Sequence, residues 1–220
     1  ISAGWNHCVA LLSDGSVWTW GWNEYGALGD GTTTTRYVPV KVLTGVDQVA
    51  AGTLTTYARK TDGTVWAWGQ NSYGGQIGDG TTIDRLSPVQ VQGLATGSVA
   101  QLAGGGENVY ALLTDGTVKA WGFNGSGQLG NGNTTNQSLP VSVSGLTNVK
   151  QIAGGRFAGY ALLTDGTVRA WGKNEAGQLG NNSTTDSSVP VQVSGLSGVT
   201  QISAAAQSAY VLMSDGTVQW

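Results

Sequence analysis

The sequence predicts an all-β fold of the propeller type, and two observations carry this prediction. The first is a phrase that occurs five times, with Asp-Gly beginning at residues 14, 62, 115, 165 and 215, so that the intervals are 48, 53, 50 and 50 residues. The second is β-rich sequence on both sides of each Asp-Gly. A period of about fifty residues with strand–turn–strand content is typical of propellers and similar arrays, and not of a domain with a single core.

Each repeat contains the same elements in the same order, which the third repeat shows clearly. A short strand with small residues (101–106) is followed by a strand (109–113), an Asp-Gly turn and a strand that ends in Trp-Gly (118–122). A long loop and an extended segment that starts with Pro-Val complete the unit. Asp-Gly between two β-rich runs is a strong hairpin signal, and we expect both turn residues to adopt positive φ.

One aromatic residue recurs in the strand after each of the first four Asp-Gly turns. This column consists of Trp20, Trp68, Trp121 and Trp171. Because tryptophan buries a large apolar area, we expect these side chains to fill the space between adjacent sheets.

A proline recurs near the end of each repeat, and it predicts the outer strand of each blade. These prolines are Pro39, Pro88, Pro140 and Pro190. Proline lacks an amide donor and therefore suits the start of a strand or a sheet edge.

The long loops contain asparagine and Asp/Asn-Gly sequences in fixed columns. The asparagine column consists of Asn23, Asn71, Asn124 and Asn174, and the second column consists of Asp30, Asp79, Asn131 and Asn181. Asparagine tolerates left-handed geometry and bonds nearby backbone, so the first column is interpreted as turn chemistry. In the second column carboxylate and amide replace one another and no loop-closing glutamate follows, so a calcium site is not expected.

Composition excludes several classes of function. Charged residues make up only 10% of the chain, the net charge is −3, and the Lys and Arg residues form no cluster, which disfavours nucleic acid as a partner. No apolar run approaches the ~20 residues that a membrane helix requires, so membrane insertion is not expected. Hydrophobic residues at 40%, including nine Trp, are sufficient for a packed core.

The residues that enzymes and metal sites require are scarce, and we expect no catalytic residue, cofactor or metal. The single His and the single Cys are neighbours, His7 and Cys8, and adjacent residues of a strand point to opposite faces. Zinc prefers about four N or S ligands. The glycines at 104–106 lack the Lys-Ser/Thr of a phosphate-binding loop and are interpreted as close backbone packing, as are those at 154–155.

The phrases TDGTVxAWG, NxxGQLGxG and PVxV, repeated at a spacing near fifty, resemble those of the regulator of chromosome condensation repeat family, most of all its bacterial members. The resemblance covers essentially the whole chain. It implies a β-propeller of four-stranded blades, seven in the complete ring. The family includes a nuclear exchange factor for a small GTPase and a secreted bacterial β-lactamase-inhibitor protein.

The sequence holds four complete repeats and a terminal hairpin, which is incomplete relative to seven blades. As a single propeller array over residues 1–220, its repeats are predicted at 1–48, 49–100, 101–150 and 151–200, with a partial unit at 201–220. An unfinished blade exposes a strand edge. Self-association that completes the ring is therefore one expectation, and a fragment of a longer protein or a smaller ring are others.

Two loop regions of each repeat change character from one repeat to the next, and they predict the binding surface. The candidate partner-binding residues are Trp5, Asn6, His7, Trp22, Tyr25, Leu54, Tyr73, Glu107, Phe123, Arg156, Phe157, Lys173 and Glu175. Loops on a rigid scaffold commonly carry binding, and Trp, Tyr and Arg are frequent hot-spot residues.

These loops predict a non-catalytic protein-recognition scaffold that binds a protein partner through one face. A glycan-binding propeller is the alternative within binding, although a sugar site would repeat its aromatic residue in every blade, whereas Trp22 is replaced by Gln70, Phe123 and Lys173. Nucleotide exchange on a GTPase is implied only by the fold, which does not fix function. A structural spacer is a further class.

The chain is rich in Thr, Ser, Asn and Gly and poor in Lys, which favours a secreted or cell-surface bacterial setting. A single cysteine is equally compatible with the cytoplasm.

Overall fold

The computed structural model describes residues 1–219, which form nineteen strands and no helix. The strands are grouped into five antiparallel sheets, four of four strands and a last one of three. The strands of the first two sheets are β1 (Ser2–Ala3), β2 (His7–Leu11), β3 (Val17–Gly21), β4 (Arg36–Leu43), β5 (Val46–Ala51), β6 (Thr55–Lys60), β7 (Val65–Gly69) and β8 (Arg85–Gln90).

The remaining three sheets repeat this pattern. Their strands are β9 (Val99–Gly104), β10 (Asn108–Leu113), β11 (Val118–Gly122), β12 (Gln137–Ser142), β13 (Val149–Gly154), β14 (Ala158–Leu163), β15 (Val168–Gly172), β16 (Ser187–Gln192), β17 (Val199–Ala204), β18 (Ala209–Met213) and β19 (Val218–Gln219). Each sheet is one blade, numbered 1 to 5 in chain order. The all-β propeller prediction is confirmed, and the five blades do not close into a ring.

The up-and-down topology of a blade places its connections on two opposite faces. The links from first to second strand and from third to fourth strand lie on one side, which is called the loop face. The Asp-Gly turns and the links between blades lie on the other side, which is called the Asp-Gly face. Both variable loop regions therefore lie on the loop face.

The hydrophobic core consists of four clusters, each formed by residues of two neighbouring blades. The predicted tryptophan wedge is confirmed in three of them, since Trp68, Trp121 and Trp171 are fully buried against the preceding blade. Trp20 is only half-buried because no described sheet precedes blade 1. The apolar side chains of this protein are therefore buried between neighbouring blades.

A glutamine on the first strand of a blade joins that blade to the next. The side-chain amide of Gln151 donates to the carbonyl of Ile202 at 2.9 Å, and its oxygen accepts the amide N–H of the same residue at 2.9 Å. Gln101 binds Ile152 and Gln48 binds Leu102 in the same bidentate way. These pairs fix the register between successive inner strands.

The innermost strands approach one another closely, which explains the glycines at 104–106 and 154–155. A Cβ atom at Gly154 would lie 2.5 Å from the carbonyl oxygen of Gly104, and one at Gly106 would lie 2.5 Å from that of Arg156. A Cβ at Gly104 would collide with the carbonyl of Ala51. The prediction of close backbone packing at these glycines is confirmed.

The Asp-Gly hairpins differ from the prediction in one respect. Gly15 has φ of 77°, but Asp14 does not adopt positive φ, and the same holds in the other four turns. The amide of Gly15 donates to the carbonyl of Leu12, and Leu12 N–H donates to Ser16, so the glycine forms a bulge after a β-turn. The Asp14 carboxylate accepts the N–H and hydroxyl of Ser16, which hold its pKa below its usual range.

Two further expectations about local structure are wrong in detail. The prediction that the prolines mark the outer strand of each blade is confirmed, but they lie at the fourth residue of that strand and not at its start. The ladder of β12, for example, shifts register around Pro140. The four loop asparagines are fully buried and do not adopt left-handed φ. Their amides cross-link the loop, as when Asn124 donates to Asn133 and Thr135 and accepts from Leu129.

The first strand of blades 2 to 5 begins two or three residues before the predicted repeat boundary, as β5 begins at Val46 and β17 at Val199. The last unit holds an inner strand in addition to the predicted hairpin.

Candidate functional site

Eleven of the thirteen predicted partner-binding residues are exposed or half-buried on the loop face, and two are not. His7 is 2% exposed and Leu54 is 9% exposed. His7 is enclosed between blades 1 and 2 and Leu54 is buried as well, so the prediction that these two side chains contact a partner is wrong. Their role is structural, since buried atoms cannot meet another protein without local unfolding.

His7 belongs to a buried chain of hydrogen bonds between blades 1 and 2. The Thr56 hydroxyl donates to the carbonyl of Ala27 at 2.8 Å, so it accepts from His7 Nε2 at 2.9 Å. This arrangement requires the neutral tautomer with the proton on Nε2, and Nδ1 is buried without a partner among the described residues. Burial lowers the pKa of His7 from 6.5 to about 4.

Four predicted residues come together at the inner end of the loop face, and this group is called the Arg156 cluster. The Arg156 guanidinium carbon lies 4.8 Å from the ring centre of Phe157 and 6.0 Å from that of Trp5. Lys173 Nζ lies 5.7 Å from the same Phe157 ring. Blade 4 and blade 1 therefore contribute to one site, although they are distant in sequence.

Two acidic residues lie beside the Arg156 cluster. Lys173 forms an ion pair with Glu175, with 2.9 Å between Nζ and Oε2. Glu107 lies on the adjacent blade, where burial raises the pKa of its carboxyl group and the charge of Arg156 opposes that rise. Because Arg156 and Trp5 remain exposed, this group presents a cation flanked by aromatic rings to the solvent.

The Arg156 cluster borders the central channel of the array. A cavity of about 570 Å³ extends along the innermost strands and is lined mainly by Gly and Ala, from Ala3 to Ala206. Among the residues that line it, Arg156 is the single charged one. The mouth of the channel thus combines a floor of small residues, which leave backbone groups accessible, with one cation, and it is suited to a partner group that carries negative charge.

The other predicted residues lie on the same face but outside this cluster. Trp22 and Tyr25 of blade 1 form an edge-to-face pair with 5.6 Å between ring centres. Tyr73 is 62% exposed, Asn6 is exposed, and Phe123 is half-buried over Gly125. None of these residues lines the channel.

Sequence reasoning missed a charged pair that occurs in two of the long loops. Asp30 binds Arg36, with 2.7 Å between the guanidinium and the carboxylate, and Asp79 binds Arg85. Burial disfavours the charged form of Asp30, but hydrogen bonds from Thr32 and Arg36 outweigh it and lower its pKa. Where the column carries Asn131 and Asn181, the partner positions are Gln137 and Ser187. The aspartate and its arginine partner are thus replaced together, and this paired replacement was the signal in the sequence that could have revealed the ion pair.

Within residues 1–219, no group of three or more His, Cys, Asp or Glu side chains is arranged to hold a metal ion. That part of the chain also contains no helix long and apolar enough to cross a membrane.

Comparison with known sequences identifies the repeats. The profile of the RCC1-like domain matches residues 1–211. The ultraviolet-B receptor UVR8 of Arabidopsis thaliana is 35% identical over 147 residues, which cover 65% of this chain and 33% of that protein. Human E3 ubiquitin-protein ligase HERC2 is 36% identical over 151 residues, which cover 66% of this chain and 3% of that protein. The chain thus spans a third or less of these relatives.

Solved structures show the same architecture. Human WBSCR16 aligns with a TM-score of 0.85 at 27% identity, covering 95% of this chain and 56% of that one. Yeast RCC1 (Prp20), in its complex with Kap60, aligns with a TM-score of 0.84 at 27% identity, covering 99% of this chain and 54% of that one. The chain therefore spans about half of these propellers. The predicted resemblance to bacterial members of the family stays a prediction.

The His7→Thr variant tests the buried histidine, because threonine occupies this column in blade 2. The unfolded chain binds the proton more readily than the folded one between about pH 6.5 and pH 4, so wild-type stability falls as the pH is lowered through this window. Urea unfolding at pH 7 and near pH 4.5 should show wild type losing on the order of 2 kcal/mol more than the variant. Wild type and variant have the same Asp and Glu residues, so the contribution of these carboxylates to the loss of stability cancels in the comparison. Equal losses would show that His7 is not held neutral.

Proposed function

Because the chain belongs to the RCC1-like domain family, we propose that it is a non-catalytic protein-recognition scaffold that binds a protein partner through the loop face. The binding site is centred on the Arg156 cluster at the mouth of the channel. The buried side chains of the blades contact the neighbouring blade. The side chains of the Arg156 cluster are instead in a position to bind another molecule.

The Arg156 cluster is the observation that carries this proposal. Aromatic and Arg side chains dominate the binding energy of protein interfaces when they lie near the centre of the contact. Here an exposed guanidinium is flanked by Trp5 and Phe157, and Lys173 also lies near the Phe157 ring. Most of the repeated framework columns are buried, whereas Trp5 and Arg156 are exposed and can meet another molecule.

The relatives support the coarser part of the proposal. Yeast Prp20 has been crystallised with Kap60, and its binding to Gsp1p and to histones has been described. RCC1-like propellers therefore bind proteins. The identity of the partner, the face used and a secreted or cell-surface location remain predictions for this chain.

Substitution of Arg156 by Ala should weaken partner binding at least tenfold, since a central Arg commonly contributes more than about 1.4 kcal/mol. Partners are first identified by cross-linking in the source cells, and the dissociation constant is then measured with purified protein. Lys150→Ala is the matched control, because Lys150 is exposed on the Asp-Gly face of the same blade.

An equal effect of the two substitutions would contradict the loop-face proposal. Tight binding to a glycan array that Phe157→Ala abolishes would favour the glycan alternative. Accelerated nucleotide release from a small GTPase would favour exchange activity.

We also propose that the chain self-associates, because large apolar side chains are exposed on blades 1 and 5. Tyr37 and Val38 of blade 1 are 92% and 68% exposed, and Val218 of blade 5 is 64% exposed. Light scattering during size-exclusion chromatography should show a mass above 22.5 kDa that rises with concentration. A strictly monomeric species at high concentration would contradict this proposal.

A further inference from the structure

A cavity of about 510 Å³ lies on the Asp-Gly face, where blade 3 is linked to blade 4. One wall is the link at residues 144–148, and the other walls are the Asp-Gly hairpin, β15 and β16 of blade 4. Both blades contain four described strands, so the cavity lies between two four-stranded sheets. Its volume is within the range of about 300–1,000 Å³ in which proteins bind small molecules.

This cavity contains a cation without a partner, the half-buried Arg169. Three other arginines of the chain each form an ion pair with an aspartate. The Arg169 side chain forms no ion pair and no hydrogen bond within residues 1–219. The acidic residue of the same cavity, Asp165, accepts the N–H and the hydroxyl of Thr167 instead. The guanidinium of Arg169 is therefore available to an acceptor from outside the chain.

Blade 2 shows how the same position is filled when its side chain is aromatic. Trp66 corresponds to Arg169, because each lies four residues after the turn aspartate and pairs with a glutamine of the outer strand. The indole N–H of Trp66 donates to the hydroxyl of Thr64 at 2.9 Å. Lys60 Nζ lies 4.5 Å from the centre of the Trp66 ring. Blade 2 thus holds an aromatic ring and a cation together at this place.

In blade 4 the threonine is kept, but the ring is lost and the cation changes position. Thr167 corresponds to Thr64, and Leu163, which lines the cavity, corresponds to Lys60. The cation of blade 4 comes from the position that carries the indole in blade 2. Space is therefore left for a ring beside a guanidinium. A guanidinium stacks on aromatic faces and donates two parallel hydrogen bonds to a carboxylate.

We propose that this cavity binds a small aromatic carboxylate. Its carboxylate accepts hydrogen bonds from Arg169, and its ring packs against Leu146, Leu163 and Pro190, which line the cavity. The ligand supplies the opposite charge that a half-buried guanidinium requires and the ring that blade 4 lacks. This inference does not depend on the loop-face function, because the cavity lies on the opposite face.

The test is a titration of the ¹⁵N-labelled full chain with indole-3-propionate, followed by NMR. Saturable shifts are expected for the backbone amides of residues 144–148 and 163–165, which line the cavity. Indole-3-propionamide lacks the charge and propionate lacks the ring, so each should bind at least tenfold more weakly. Absence of saturable shifts at these amides, or equal affinity of the acid and its amide, would overturn the proposal. Equally tight binding of inorganic phosphate would overturn the ligand class.

Two charge-removing variants assign the binding to Arg169. Arg169→Gln should reduce the affinity for indole-3-propionate at least tenfold, because it removes the cation. Lys119→Gln is the matched control, since Lys119 occupies the same position in β11 of blade 3 and does not line the cavity. It should leave the affinity unchanged. An equal effect of the two substitutions, or no effect of Arg169→Gln, would contradict the proposed site.

A third variant fills the cavity without removing a structural contact. Arg169→Trp restores the residue of blade 2, and its indole N–H can donate to Thr167 as that of Trp66 donates to Thr64. The variant should keep the melting temperature of the wild type and lose binding of indole-3-propionate. Binding that persists in this folded variant would show that the ligand lies elsewhere.

Discussion

The insertion of one blade's tryptophan into the preceding blade is the contact on which the rest of this structure depends. The four hydrophobic clusters each combine two blades, so a blade has no core of its own. Stability in such an array is the sum of weak intrinsic terms and strong nearest-neighbour terms. The indole, the glycine that makes room for it and the glutamine bridge between inner strands are three parts of that neighbour term.

Because the contacts between blades hold the array together, the amino acids of the loop face are free to vary. Buried asparagines cross-link each long loop from inside, and in blades 1 and 2 an Asp–Arg pair holds its end. Trp5, Arg156 and Phe157 lie on the short links between first and second strands, whose backbone is fixed in another way, because Trp5 N–H donates to the carbonyl of Thr53 and Arg156 N–H donates to that of Ala206. A fixed loop binds with less loss of conformational entropy than a mobile one, which favours recognition at this face.

The sequence predicts the fold well because its strongest signals are local and repeated. Asp-Gly turns, the tryptophan column and the proline column each report one structural position, and all three occur in the structure. The predictions failed where a residue's role depends on a neighbouring blade. His7 and Leu54 occupy variable columns, yet both are buried, and the ring of His7 bonds to Thr56 of the neighbouring blade. The proximity of Trp5 and Arg156 could not be predicted from the sequence either. About 150 residues separate them, and only the curvature of the array brings them together.

The most direct test of the neighbour contact compares Trp171→Phe with Trp20→Phe by urea unfolding. Trp171 is fully buried and donates to Gln128, whereas Trp20 occupies the same column but is half-buried, with no described blade before it. We predict that Trp171→Phe lowers the free energy of unfolding by about 2 kcal/mol and that Trp20→Phe lowers it by less than about 0.5 kcal/mol. Equal losses at the two positions would contradict the account, because they would show that the indole acts within its own blade.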